Sequence, residues 1–168
     1  MKKIQINHNV IDETILKEVK KYMLPAWQKN ALIFAGTFSF IVGFLNYLLG
    51  NFTQGLILMV LTLACIAEMM FLNHQKYKST LKAMKNENGK NAMVYTMIFG
   101  ENGVAVHNVD TGEDNKIPYT YIKHFKTTES TYLLLAKKNE MIIVRKDCLK
   151  MDPETFKQFL RDKNVKVK

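Results

Sequence analysis

The sequence predicts an α+β membrane protein, in which a two-helix transmembrane hairpin carries a small antiparallel β half-barrel or sheet capped by a C-terminal helix. Three observations lead there. Residues 31–72 contain a single charged side chain, Glu68. Lysine crowds both flanks of that block. From Asn91 onward the apolar residues recur with a period of two, as on half-buried strands.

The first apolar segment, Ala31 to Leu49, reads ALIFAGTFSFIVGFLNYLL, nineteen residues without a charge. At a helical rise of about 1.5 Å per residue it extends roughly 28 Å, close to the hydrocarbon thickness of a bilayer. The second, Phe52 to Leu72, is of similar length. Only Gly50 and Asn51 separate them, so the two helices are expected to be antiparallel neighbours. Neither shows the polar stripe that a helix at the surface of a water-soluble domain keeps. Pro25 precedes the first span, where a helix start tolerates proline.

Charge sets the expected orientation. Residues 1–30 carry six lysines against three acids, and residues 73–90 carry five against Glu87. The turn between the spans has none, so both termini are expected in the cytoplasm of a bacterial cell, with the hairpin in the plasma membrane. Tyr22, Trp27 and Tyr77 fall near the inner boundary and Tyr47 near the outer one, as interfacial aromatics do. The net charge of +9 is densest beside the apolar block rather than on the C-terminal domain. That distribution argues for anionic inner-leaflet lipid as the partner and against nucleic acid. Lysine outnumbers arginine 22 to 2, in keeping with an AT-rich bacterial genome. No cleavable signal peptide is read after Met1-Lys2-Lys3, because Gln5, Asn7, His8 and Asn9 interrupt any apolar core; the first span is expected to serve as its own insertion signal.

Within the spans two features qualify as candidate sites. Ala31, Ala35, Ser39 and Gly43 form a row of small side chains at four-residue intervals, a surface on which another helix can approach closely. The occupant is either the second span or, as the sharper alternative, the same row of a second copy in a homodimer. Glu68 is the lone ionisable group, and an intramembrane carboxylate is by default a functional candidate. It lies about one turn from the cytoplasmic end, within snorkelling distance of the headgroups or of Lys76, which weighs against a transport role.

The flanks are amphipathic. Asp12 to Leu24 reads as a helix capped by Asp12, with Ile15, Leu16, Val19, Tyr22 and Met23 on one face and Lys17, Lys20 and Lys21 on the other. Its apolar face is expected either on the inner leaflet or on the cytoplasmic domain. The preceding Lys3 to Asn9 alternates and adds a short strand. His74 to Asn86 continues the second span as a basic juxtamembrane helix, and Glu87 to Lys90 reads as a linker. The expected organisation is thus an N-terminal cytoplasmic strand and helix over 1–30, the hairpin over 31–72 (spans 31–49 and 52–72), the juxtamembrane segment over 73–90, and a cytoplasmic domain over 91–168.

In that last domain Met93–Phe99 and Val104–Val109 read as a hairpin around Gly100-Glu101-Asn102-Gly103. Lys116-Ile117-Pro118 leads into a short edge strand, where proline is tolerated. Tyr121–Lys126 follows, then a second hairpin of Tyr132–Ala136 and Met141–Arg145 around Lys137–Glu140. Asp152-Pro153-Glu154 opens a helix with Phe156, Phe159 and Leu160 on its apolar face.

Two apolar spans, a strand-turn-strand, the segment IPYTYIKHF, the hairpin YLLLA…MIIVRKDC and the terminal helix PETFKQFL together resemble the YcxB-like family over most of residues 31–163. The resemblance implies a bacterial membrane protein whose C-terminal domain is similar to pleckstrin-homology (PH-like) folds, and it carries over no catalytic residues. A phosphoinositide site in such a fold needs basic side chains converging in the first inter-strand loop. The turn Gly100–Gly103, taken as that loop, is acidic, so no inositide site is expected. Lys137, Lys138, Arg145 and Lys146 offer at most a weak anionic-ligand patch.

Catalytic chemistry finds no footing. Asp110-Thr111-Gly112 matches the aspartic-protease triplet as a string, but Glu113 and Asp114 follow, as in an exposed turn. His8, His74, His107 and His124 lack metal-ligand spacing, and there is no Cys-x-x-Cys, so neither metal nor cofactor is expected. Cys65 and Cys148 lie in environments too different to pair. Cys148 sits near Arg145, Lys146 and Lys150, which would lower its pKa, yet no base accompanies it. The expected function is a non-enzymatic, membrane-anchored interaction module that meets a protein partner at the inner leaflet through a sheet edge or helix groove. The alternatives are an immunity or self-protection membrane protein and an oligomeric conduit using Glu68.

Overall fold

A computed structural model describes residues 3–137 and 140–167. It is a mixed α+β chain with two long apolar helices and two antiparallel sheets, in the order β1 (Ile4–Asp12), α1 (Glu13–Val19), α2 (Ala26–Leu48), α3 (Phe52–Asn88), β2 (Ala92–Phe99), β3 (Gly103–Asn108), β4 (Asp114–Pro118), β5 (Ile122–Thr127), β6 (Thr131–Ala136), β7 (Met141–Arg145) and α4 (Pro153–Asp162). Two compact units result: Lys20–Lys78 forms one, and the stretch ending at Val19 joins Ser79 onward to form the other.

In the first unit α2 starts directly after Pro25, five residues before the expected span, because proline fixes the entry dihedral and needs no N–H partner there. The helix closes on Gly50, whose φ of 87° only glycine adopts cheaply, and Asn51 N–H donates to Asn46 O at 2.9 Å. α3 then begins at Phe52 and runs unbroken to Asn88, as the juxtamembrane reading anticipates, and takes in Glu87 and Asn88 from the expected linker. The helices pack through Gly36, Ser39 and Gly43, the buried positions of α2. A Cβ on Gly43 would lie 2.9 Å from Leu58 Cβ and 3.0 Å from Gly55 O, so the two backbones meet at a Gly43–Gly55 crossing. Thr62 Oγ1 donates across to Gly36 O at 3.2 Å. Elsewhere both helices leave their large apolar side chains uncovered, Phe34, Leu49 and Met70 among them.

The second unit holds a four-stranded sheet ordered β1-β2-β3-β4 and a three-stranded sheet ordered β5-β6-β7, all antiparallel. Their facing sides enclose one core, in which Phe99, Val104, Leu134, Val144, Phe156 and Leu160 are fully covered. α4 closes it. Asp152 caps that helix by accepting from Glu154 N–H at 2.9 Å and Thr155 N–H at 3.0 Å, and Pro153 occupies the first turn. Each strand expected after Asn91 is present within two residues of its expected ends, because alternation fixes which side chains must face inward. The connection read as Lys137–Glu140 includes residues 138 and 139, which lie outside the described residues.

The N-terminal strand is longer than the alternation of Lys3–Asn9 indicates. It pairs with β2 from Ile4↔Phe99 to Asp12↔Ala92, with a register shift between Ile6 and Asn9 where His8 takes a φ of 55°. The extra residue interrupts the alternation and hides the strand's length from a period-two reading. The helix expected over Asp12–Leu24 is shorter than expected: α1 ends at Val19, followed by a 3₁₀ turn over Lys20–Tyr22. Asp12 Oδ1 caps it from Ile15 N–H at 2.9 Å. Ile15, Leu16 and Val19 are buried. Glu18 accepts at Oε1 from Ser130 N–H at 2.9 Å and at Oε2 from the Ser130 hydroxyl, which ties α1 to the β5–β6 turn. Of the two readings for this helix, packing on the sheet domain is the one the structure adopts.

Candidate functional site

The sheet unit contains a cavity of about 450 Å³, within the range of small-ligand sites. The inner faces of β2, β3 and β4 supply Tyr95, Met97, Val106, Asn108, Asn115 and Ile117. The start of β7 brings Met141, Ile142 and Ile143, and the last turns of α3 bring Thr80, Met84 and Glu87. Ile11 and Leu16 complete the floor. Among the described residues the charged ones lining it are Glu87, Glu113 and Glu140, with no lysine or arginine. None of the three glutamates forms an ion pair among the described residues. Burial first, and then the carboxylates of Glu87, Asp110 and Glu113, push the Tyr95 phenol above its ordinary pKa.

One seam of the sheet unit is closed by a side chain. Asn9 is fully buried; its Nδ2 donates to Ile143 O at 2.8 Å, and its Oδ1 accepts from Arg145 N–H at 2.9 Å. The carboxamide thus presents one donor and one acceptor to β7, as a backbone peptide would, and joins β1 to β7 where no strand pairing exists. Arg145 Nη1 adds a bond to Val10 O at 3.4 Å. The outer edge of β5 is partly covered by the C-terminal tail, Phe125 N–H donating to Lys166 O at 3.3 Å. β4 has a partner strand on one side only, with no backbone partner on its outer edge among the described residues.

The residues singled out in the sequence fall into place unevenly. Ser39 and Gly43 pack against α3, whereas Ala31 and Ala35 are exposed, so the four-residue row does not act as one face. The reason is geometric. Four residues turn a helix 40° past a full circle, and a straight face follows 3.6 residues, which brings Gly36 into the contact in place of Ala35. Glu68 is exposed on α3 and has no ion pair among the described residues. Arg145 is engaged with Asp147, and Lys146 Nζ donates to Thr128 O at 2.7 Å and Glu129 O at 2.8 Å. Lys137 lies over the Tyr121 ring at 5.1 Å, and Lys138 is outside the described residues. The basic patch is therefore largely committed to internal contacts.

Two further expectations are corrected. The turn Gly100–Gly103 joins β2 to β3 and is the second inter-strand connection, because β1 precedes it; the first connection contains α1, α2 and α3. The argument about an inositide site in the first loop therefore loses its footing. The Cys148 thiol is pushed up, not down: burial contributes most and Asp147 adds to it, while Arg145 opposes too weakly. Its Sγ donates to His8 O at 3.6 Å, a structural role. Asp110 lies in a turn, as read from the sequence, where its Oδ2 accepts from Val94 N–H at 2.8 Å beside the start of β2. Among the described residues no group of three or more His, Cys, Asp or Glu is placed to hold a metal ion.

Asn9 and the three rim glutamates are what the sequence reading missed. Glu87 looked like linker, Glu113 like an exposed turn and Glu140 like a hairpin tip. The one available signal was that acids interrupt a lysine-rich chain at the ends of its elements. No curated protein and no solved structure gives a significant match to this chain. Residues 99–161, from the end of β2 into α4, match the family described as YcxB-like protein, in keeping with the resemblance seen in the sequence but over a shorter stretch than 31–163.

Proposed function

We propose that this chain is a membrane-anchored, non-enzymatic interaction module that presents a PH-like domain at the cytoplasmic face of a bacterial plasma membrane and captures an extended protein segment along the outer edge of β4. The observation that carries the reading is the pairing Asp12↔Ala92 between β1 and β2. The chain leaves the sheet at Asp12 and must return beside it at Ala92, so whatever lies between has both ends at one place. An apolar hairpin of two spans meets that demand, whereas an odd number of crossings does not. Phe34, Leu49, Ile57 and Met70 are 74%, 78%, 63% and 67% exposed, and such surface is stabilised by about 25 cal/mol per Å² when removed from water. Lys20, Lys21 and Lys29 before the hairpin, and Lys76, Lys78 and Lys82 after it, favour the cytoplasmic side.

The PH-like reading rests on two antiparallel sheets around one core, closed by a C-terminal helix, together with the YcxB-like match. The choice of edge rests on elimination: β1 and β7 are joined through Asn9, β5 meets the tail, and β4 is left open for strand addition. Two measurements test the proposal. A thiol placed at Asn51 is expected to react with a membrane-impermeant maleimide from outside intact cells; labelling only from the inside overturns the topology. Affinity purification from native membranes is expected to retain a stoichiometric protein, lost on Lys116→Pro, which removes an outward-facing N–H of β4; a chain purified alone at every detergent strength overturns the module.

A further inference from the structure

We infer that the 450 Å³ cavity of the sheet unit receives the apolar side chains of a basic peptide segment, whose lysines or arginines meet Glu87, Glu113 and Glu140 at its rim. The inference rests on the interaction-module reading and names the chemistry of its partner. It starts from a segregation of charge. The chain has 24 lysines and arginines against 15 acids, yet among the described residues the cavity's charged lining is acidic. The three glutamates come from α3, from the turn before β4 and from the approach to β7, so the fold, rather than local sequence, gathers them. They have no ion partner among the described residues.

The interior is of a different kind. Met84, Met97 and Met141 contribute unbranched, polarisable side chains that repack around apolar groups of varied shape. Apolar depth and an anionic mouth together select an amphipathic cation and reject an acidic segment, by attraction for the first and like-charge repulsion for the second. The cavity is also continuous with the open edge. Asn115 and Ile117 of β4 point into it, so a strand added to β4 runs alongside the opening and can place alternate side chains within reach.

The test uses the full chain in nanodiscs of zwitterionic phosphatidylcholine, to keep lipid charge out of the measurement. A fluorescein-labelled peptide alternating leucine and lysine is titrated by anisotropy, with a leucine–glutamate peptide as comparison. The basic peptide is expected to bind saturably and the acidic one not to. The triple variant Glu87→Gln/Glu113→Gln/Glu140→Gln is expected to weaken binding about tenfold and to flatten its salt dependence, given rim pairs of modest strength each. Val106→Trp is expected to abolish binding by filling the cavity, and Glu101→Gln, on an exposed turn outside the lining, to leave it unchanged. Equal binding of the triple variant and the native chain overturns the inference, as does equal binding of the two peptides or binding of neither. A stoichiometric partner that persists on the triple variant overturns the cavity assignment while leaving the module standing. Tight binding of the basic peptide with no partner retained from membranes supports the cavity and overturns the module.

Discussion

Phe34 and Phe38 of the hairpin are 74% and 60% exposed, while Phe99 and Phe156 of the sheet unit are 0%. One side-chain type is thus deployed in two opposite ways in a single chain. In the sheet unit, aromatic rings meet one another edge to face, Phe99 and Phe156 with centroids 5.3 Å apart, and exclude water around a closed core. In the hairpin the contact surface is small residues, and the large ones point away. A core stabilised by burial from water needs its bulk inside. A helix pair with its bulk outside meets through backbone proximity at its small residues.

The sharpest way to break this comparison is to truncate one phenylalanine in each unit. Phe156→Ala is expected to cost about 3–5 kcal/mol of sheet-unit stability, read from thermal unfolding by near-ultraviolet circular dichroism in detergent. Phe38→Ala is expected to change unfolding by less than about 0.5 kcal/mol. Equal costs would mean that the hairpin is packed as a water-soluble core, which would undo the contrast.

Asn9 sharpens it further, because it shows what the sheet unit needs that the hairpin does not. Asn9→Ala leaves Ile143 C=O and Arg145 N–H without their partners in a buried seam, at a cost of about 1–3 kcal/mol. Hydrogen exchange is expected to rise at β1 and β7 first, with α2 and α3 unaffected. Uniform exchange across the seven strands would show that the seam is not held by this side chain.

How legible each unit was follows from the range of its interactions. The hairpin was plain because length and apolarity are local, and the turn at Gly50 and Asn51 lies between two apolar runs that together hold one charge, Glu68. Strands after Asn91 were plain because alternation is local as well. β1 was only half visible: its bulge at His8 breaks the period, and its partner lies some 90 residues away, across the entire hairpin. Asn9 looked like a polar residue ending a strand, since nothing nearby in sequence marks it as the bridge to Ile143 and Arg145. The cavity was invisible for the same reason, being assembled from positions 87, 113 and 140.

A smaller effect separates the two faces of α2. Gly43→Ala places a methyl group 2.9 Å from Leu58 Cβ and 3.0 Å from Gly55 O, where one of the neighbours is backbone and cannot swing aside. The expected cost is about 1–3 kcal/mol of hairpin packing, read as a longer distance between spin labels on α2 and α3. Ala35→Leu is expected to leave that distance unchanged, since Ala35 faces outward. The same variant also tests the homodimer: unchanged yield of cross-linked dimer rejects Ala35 as part of a dimer face.

The smallest effect is the one with a pH signature. Burial works to raise the Glu18 pKa, but hydrogen bonds from the Ser130 and Thr128 hydroxyls, with backbone N–H donors from Ser130 and Glu129, outweigh it and hold the carboxyl below its usual 4.5. A carboxyl whose folded pKa is depressed contributes stability that is present above its unfolded pKa and lost as pH falls through the folded value. Glu18→Gln keeps the shape and removes the charge, so it is expected to cost about 1 kcal/mol at pH 7, the lower end for a charged hydrogen bond because the group is half exposed. Below pH 4.5 the unfolded chain takes up its proton first and the stabilisation begins to fall; once the pH has dropped through the lower folded value the native carboxyl is neutral too, and the gap between the two proteins is expected to narrow toward zero. The effect belongs to the sheet unit, in which Glu18 anchors α1 to the β5–β6 turn. A gap that stays constant from pH 7 to pH 3 would mean that the charge on Glu18 does not matter and that α1 is held by Ile15, Leu16 and Val19 alone.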